Sequence, residues 1–347
     1  MGTGPFAVPT FAELCAGPDP IVGVVTRPDK PAIGKGPAPF NPVREMAQRH
    51  NLPIFDPASI NSPAAHAQLL AWAADLFVVC DYGQILSAAT LGLARLGGIN
   101  LHGSLLPKYR GAAPIQWAIY HGDDVTGVTV IHMTPQLDAG PCLVQVSTPI
   151  DPRETNVQLE PRLAQLGVTA VKDAIEQLRG GQTRAVLQDP SLASPARRLS
   201  RADGRLDWSR SAIQLQNQIR AWQPWPKSFT HWLRGSRDQA GNAAGDSPPG
   251  NIPPPLRLII EEAWEAPPAV AAELAHQYAE CQNRGAVPPV VPGTILAAEE
   301  GKLMVQCGTG VLEIKILQPA GKKAMPAADF LRGQKVGMGE RLGDAPA

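Results

Sequence analysis

Asn100, His102 and Asp138 are the residues of this chain whose types and spacing could do chemistry. Ile99, Asn100, Leu101 and His102 alternate apolar and polar, as a half-buried strand does, so the amide and the imidazole share one face. That places a hydrogen-bond donor for a developing oxyanion beside a group that moves protons near neutral pH. The return through Leu137-Asp138-Ala139-Gly140 adds a carboxylate able to orient an imidazole and support its charged form. Each has a plainer reading. A strand histidine is often a satisfied core residue, and Asp before Ala-Gly is ordinary turn chemistry. His121, His132, Asp123 and Asp124 fall outside the pattern; the histidines read as structural and the acids as solvated in a Gly-Asp-Asp turn.

The elements that must position these groups follow from periodicity. Strand patterns fall at 21–26, 75–80, 98–102, 127–132 and 143–149, and helix patterns at 5–16, 41–50, 63–73, 112–121 and 155–179. This alternation predicts an α/β fold with a mostly parallel sheet covered by helices on both faces, its ligands at the carboxyl ends of the strands. Met1–Phe6 reads as the Gly-rich turn after a first strand, with Pro5 opening a helix. The strand itself is lacking, which predicts poorly covered helix faces and implies either a start upstream of Met1 or a weakened domain. After about residue 200 the pattern changes. A helix at Ser211–Trp222, with Ile213, Leu215, Ile219 and Trp222 inward, precedes short strands at 228–233, 256–263, 293–297, 302–307 and 310–317. Short strands with Gly turns predict a small β-barrel. The polar stretch 180–198 reads as a linker, 235–256 as a Gly/Pro-rich loop and 285–293 as a stiff connector.

Across the 347 residues the formal charge is zero, so nucleic-acid binding must rest on local clusters. Five dispersed cysteines without a C-x-x-C pair argue against a disulfide framework and a zinc site, and suit a reducing cytosol. No apolar run approaches the ~20 residues of a membrane span. These features predict a cytoplasmic chain that needs no metal.

INLHGSLLPKYRGAAPIQWAIYHGD followed by TGVTVIHMTPQLDAGP resembles the folate-dependent formyltransferases. RAWQPWPKSF (220–229) and LQPAGKKAM (317–325) are similar to the branch that formylates methionine carried by initiator tRNA. The resemblance runs from residue 1 to about 342, interrupted at 235–256 and 265–292. It implies a Rossmann-like formyltransferase domain (1–179), a linker (180–199) and a small OB-like β-barrel domain that binds tRNA (200–342). The implied substrates are 10-formyltetrahydrofolate and initiator methionyl-tRNA, handled by a monomer. The resemblance assigns catalysis to Asn100, His102 and Asp138, and folate contact to Ser104, Leu105, Leu106 and Pro107. Tyr82-Gly83-Gln84-Ile85-Leu86 follows a buried strand and reads as lining the same pocket from the next strand end. The family's tRNA loop falls on Arg27–Pro42, where this chain offers Lys30 and Lys35 but no Arg between Pro28 and Pro42. Lys108, Tyr109 and Arg110 read equally as a solvated loop or as contacts to an RNA end. Lys322 and Lys323, with Lys315 and Arg332, form a basic patch suited to phosphates. Two rivals remain open. One is a formyltransferase for an amino sugar nucleotide, against which LQPAGKKAM speaks; the other is a catalytically idle RNA-binding relative.

Overall fold

The computed structural model describes residues 1–29, 40–235 and 254–344 and divides into two units, Met1–Ala118 with Asp123–Arg198, and Ile119–Gly122 with Leu199–Ala347. In the first unit, helices begin where a side chain can cap them. After α1 (Val8–Ala16), Asn41 caps α2 (Pro42–Arg49), Ser62 caps α3 (Pro63–Trp72) and Ser87 caps α4 (Ala88–Leu91). Beyond α5 (Pro114–His121), Thr155 and Gln158 form a capping box at α6 (Asn156–Arg179).

Strand β1 (Val24–Val25) pairs in parallel with β2 (Ile54–Phe55), and β3 (Phe77–Val79) with β4 (Gly98–His102). β4 is antiparallel to β6 (Val125–His132), which is antiparallel to β7 (Cys142–Pro149). The sheet is therefore parallel in one half only, not mostly parallel as the alternation predicted. The segment 133–141 that joins β6 to β7 is too short for the helical crossover a parallel neighbour requires.

Met1–Thr3 lies between β1 and β3. Gly2 N donates to Val25 O at 2.9 Å, Cys80 N to Met1 O at 3.0 Å and Thr3 N to Asp81 O at 3.0 Å. These residues meet the carboxyl ends of the two strands. The neighbouring space is a cavity of about 410 Å³ lined by Phe11 and Leu14 of α1, Leu69 and Trp72 of α3, and Ile175 and Leu178 of α6. On the central strand, Gly167 of α6 packs so closely on Leu101 that a Cβ there would meet Leu101 Cδ2 at 2.4 Å. Ile99 and Leu101 are buried, and alternation turns Asn100 and His102 to the other face.

The stretch read as a linker is part of the first unit. β8 (Pro195–Ala196) pairs in parallel with β5 (Arg110–Gly111), and Val186 pairs with Cys142. The backbone of residues 109–113 needs acceptors, and this stretch supplies them: Arg110 N donates to Ser194 O and Ala112 N to Ala196 O, at 2.8 and 2.7 Å. Polar composition alone looks the same for a tether and for a strand that satisfies a neighbour.

The second unit is an antiparallel sheet of β9 (Ser228–Leu233), β10 (Leu256–Glu265), β11 (Ile295–Glu299), β12 (Lys302–Gln306), β13 (Val311–Pro319), β14 (Met325–Pro326) and β15 (Arg341–Gly343), in the order β11-β12-β13-β10-β9-β15 with β14 beside β13. Its ends meet: Ile295 N donates to Glu340 O and Leu342 N to Gly293 O, both at 2.8 Å, giving a nearly closed barrel. Helix α7 (Ala212–Ala221) packs Leu215 and Ile219 into the barrel core, while Ile213, expected inward, is exposed. The interruption at 265–292 is folded: helix Pro268–Asn283 buries Tyr278 completely, and its hydroxyl donates to Pro288 O at 2.9 Å. Most of the predicted 235–256 loop, residues 236–253, lies outside the described residues.

Candidate active site

The register places Asn100 opposite Ile131 and His102 opposite Thr129, which in turn faces Gln145 on β7. All of these side chains stand on one face of the sheet. His102 is buried, 5% exposed, and its Nε2 lies 2.9 Å from Tyr109 O. A carbonyl oxygen only accepts, so Nε2 carries a hydrogen, and in the neutral ring Nδ1 is the acceptor. Nδ1 faces Asp138 Oδ2 at 3.7 Å. Asp138 Oδ2 accepts from Gly111 N at 2.9 Å, and Oδ1 accepts from Asn100 Nδ2 at 3.4 Å. The three residues singled out by sequence thus meet in one cluster. The His102 N–H is committed to Tyr109 O, which leaves Nδ1 as the acceptor of a neutral imidazole.

The loop after β4 is held from beneath. Thr129 Oγ1 donates to Ser104 O at 2.6 Å and accepts from Leu106 N at 3.1 Å, while Gln145 Nε2 donates to Leu106 O at 2.7 Å. Leu106 and Pro107 also line a cavity of about 380 Å³. Ser104 is fully buried with its hydroxyl on Lys108 O at 2.7 Å, and Leu106 packs with Ile131 and Cys142. Leu105 and Pro107 are half-buried. Tyr82 is buried as well. Its ring sits in the core with Val25, Leu69 and Leu86, and burial pushes its hydroxyl up to about 12. Gly83 is exposed, with a positive φ of 78° that any side chain would strain. Large apolar side chains at neighbouring loops do reach solvent: Ile85, 60% exposed, and Leu137, 56% exposed.

Lys108, Tyr109 and Arg110 all have partners. Lys108 Nζ and Tyr109 Oη each lie 3.0 Å from Asp123 Oδ2, so Asp123 is an ion-pair partner and not a solvated turn residue. Burial, reinforced by that carboxylate, raises the Tyr109 hydroxyl well above its ordinary range. Arg110 binds Gln188 Oε1 through Nε at 3.0 Å and Nη2 at 2.7 Å. Gln188 was missed by sequence reasoning, since a glutamine in a polar stretch carries no signal. His132 has the structural role expected of it, with Nε2 3.0 Å from Leu96 O.

In the barrel unit, Lys322 and Lys323 are exposed in the turn between β13 and β14. The wider basic patch is smaller than predicted, because Lys315 pairs with Glu313 and Arg332 with Asp329. Lys30 and Lys35 lie outside the described residues. Among the described residues, no helix is long and apolar enough to cross a membrane.

Comparison with known proteins supplies the context for this geometry. Residues 2–175 match the formyl transferase family, and residues 198–246 and 264–335 match the formyl transferase C-terminal domain. The chain is 43% identical to a methionyl-tRNA formyltransferase of Rhodopirellula baltica over 99% of its length and 95% of that protein. Identity to the methionyl-tRNA formyltransferase of Desulfotalea psychrophila is 39%, over 97% of this chain and 92% of that one. Among solved structures, WlaRD, a sugar 3N-formyl transferase determined in the presence of dTDP and 5-N-formyl-THF, shares the fold at 15% identity. The TM-score is 0.59, with 93% of this chain and 97% of that chain covered. With an Asn-His-Asp cluster on an α/β unit, a barrel after it, and this identity over nearly its whole length, the chain belongs to the methionyl-tRNA formyltransferase family.

Proposed function

We infer that the chain transfers the formyl group of 10-formyltetrahydrofolate to the α-amino group of methionine on initiator tRNA, with Asn100, His102 and Asp138 as the reacting set. The observation that carries the residue roles is the direction of the imidazole: Nε2 is tied to Tyr109 O, which leaves Nδ1 beside Asp138. An α-amino group has a pKa of about 8, and its uncharged form is the nucleophile. As the amine nitrogen bonds to the formyl carbon, Nδ1 of His102 takes the amine proton. The carboxylate of Asp138 then stabilises the imidazolium. Asn100 Nδ2 has two hydrogens, one toward Asp138 and one for the carbonyl oxygen as it becomes an oxyanion. When the carbon–nitrogen bond to the folate breaks, the imidazolium returns the proton to the leaving nitrogen.

The folate supplies the formyl group. Its flat ring fits the apolar surface that Ile85 and Leu137 leave exposed, and the exposed backbone at Gly83 can read the ring's edge. Ser104, Leu105, Leu106 and Pro107, with Tyr82, are the further candidate contacts. Lys322 and Lys323 suit tRNA phosphates, and Lys30 and Lys35 are assigned the same role from sequence. All three reacting side chains come from one unit of one chain, which supports a monomer, and the substrate supports a cytoplasmic location.

The test is formylation of charged initiator tRNA, with elongator methionyl-tRNA and an amino sugar nucleotide as competitors. Formylation of the initiator alone supports the reading. Preferential formylation of the amino sugar would replace it.

A further inference from the structure

The stretch 180–198 sends one side chain to the catalytic turn. Gln188 Nε2 donates to the backbone carbonyls of Asp138 and Gly140, both at 2.8 Å. Its Oε1 accepts both bonds from Arg110, at 3.0 and 2.7 Å. The carboxamide therefore uses both hydrogens and its oxygen.

The turn it holds is one that sequence alone would not keep in place. Asp138 has a φ of 48°, a left-handed conformation that residues other than glycine seldom adopt. Gly140 is pressed against His132, where a Cβ would meet the carbonyl oxygen at 1.8 Å. On the other side, the Asp138 carboxylate accepts from Gly111 N, and Gly111 follows the Arg110 that Gln188 also binds. One side chain thus grips the turn that carries Asp138 and the strand β5 whose amide holds the Asp138 carboxylate. Both ends of the Asp138 side chain's geometry are set through it.

We propose that Gln188 is a positioning residue for formyl transfer, fixing the Asp138 carboxylate beside Nδ1 of His102. This rests on the reading that Asp138 supports the His102 imidazolium. A purely anchoring role, in which Gln188 only fastens 186–196 to Arg110, makes a different prediction. Gln188→Glu keeps the length of the side chain and an acceptor for Arg110, but turns an oxygen toward the carbonyls of Asp138 and Gly140. Gln188→Ala removes both sets of bonds.

The experiment is steady-state formylation of initiator methionyl-tRNA by the full chain, with melting temperatures recorded alongside. Positioning predicts that Gln188→Glu and Gln188→Ala both lower kcat, by up to about 10²-fold for a misplaced reacting group, with KM for the folate unchanged. It also predicts no further loss when Gln188→Ala is added to Asp138→Ala, because the partner it positions is gone. Parent-like kcat in Gln188→Glu, or losses that multiply in the double variant, would overturn the proposal while leaving Asp138 its role. Parent-like turnover in Asp138→Ala itself would instead overturn the underlying reading, and Gln188 with it. Should Gln188→Glu lower the melting temperature, Gln188→Met, similar in length and without hydrogen bonds, gives the same comparison.

Discussion

At the catalytic face, Asn100, His102 and Asp138 are each held by a neighbour, and the imidazole is nearly excluded from solvent. In the barrel unit, Lys322 and Lys323 stand exposed in a turn, and among the described residues no ion pair includes them. On the proposed function, the difference is one of task. Moving a proton and stabilising an oxyanion require groups fixed before the substrate arrives, and low local polarity strengthens each contact. Attracting a polyanion requires charge that stays hydrated until counterions are released, and it tolerates loose geometry. Damage to the first region should therefore appear in turnover, and damage to the second in binding and its salt dependence.

The largest effect is expected at the catalytic face. His102→Ala and Asn100→Ala should each lower turnover by ~10²–10³, with folate affinity in equilibrium titration nearly that of the parent. Near-parent turnover in either variant would remove that residue from the set. Gly111→Ala probes the scaffold of the same face. Gly111 has a φ of 129°, and a Cβ would meet Ala196 O at 2.5 Å. Opening β5 from β8 should cost about 1–3 kcal/mol in denaturant unfolding and carry a loss of turnover through the Gly111–Asp138 bond. A variant that is destabilised yet fully active would show that the bond does not matter to the chemistry.

The basic turn should respond differently. Lys322→Ala with Lys323→Ala should raise KM for methionyl-tRNA, leave KM for the folate unchanged, and flatten the salt dependence by roughly 0.7–0.9 per lost phosphate contact. An identical salt slope in parent and variant would move the tRNA contact elsewhere, with the Lys30 and Lys35 loop as the next candidate. The smallest effect is expected at Tyr278→Phe. Loss of its bond to Pro288 O should cost about 1 kcal/mol and lower the melting temperature with kinetics unchanged. A kinetic change there would mean that helix Pro268–Asn283 contributes to substrate handling.

Local rules reach a definite set of features in this chain. The alternation at Ile99–His102 determined that Asn100 and His102 share a face, because side chains on a strand repeat every second residue. The helix patterns at 63–73, 155–179 and 211–222 fall where helices form, with Ser62, Thr155 and Ser211 at their starts, because a side-chain oxygen there satisfies an amide that has no helical partner. Tertiary structure decided the rest, wherever the deciding partner is distant in sequence. The distant partners that pack Tyr82, Ser104 and Leu106, namely Val25, Thr129 and Cys142, carry no signal in the loop motif. Ile213 follows the helical period but is 42% exposed. The working nitrogen of His102 depends on where the carbonyl of Tyr109 turns, and the fixing of Asp138 depends on a glutamine 50 residues away. A periodic pattern reports which side of an element a residue is on; only the packed chain determines which atom that residue meets there.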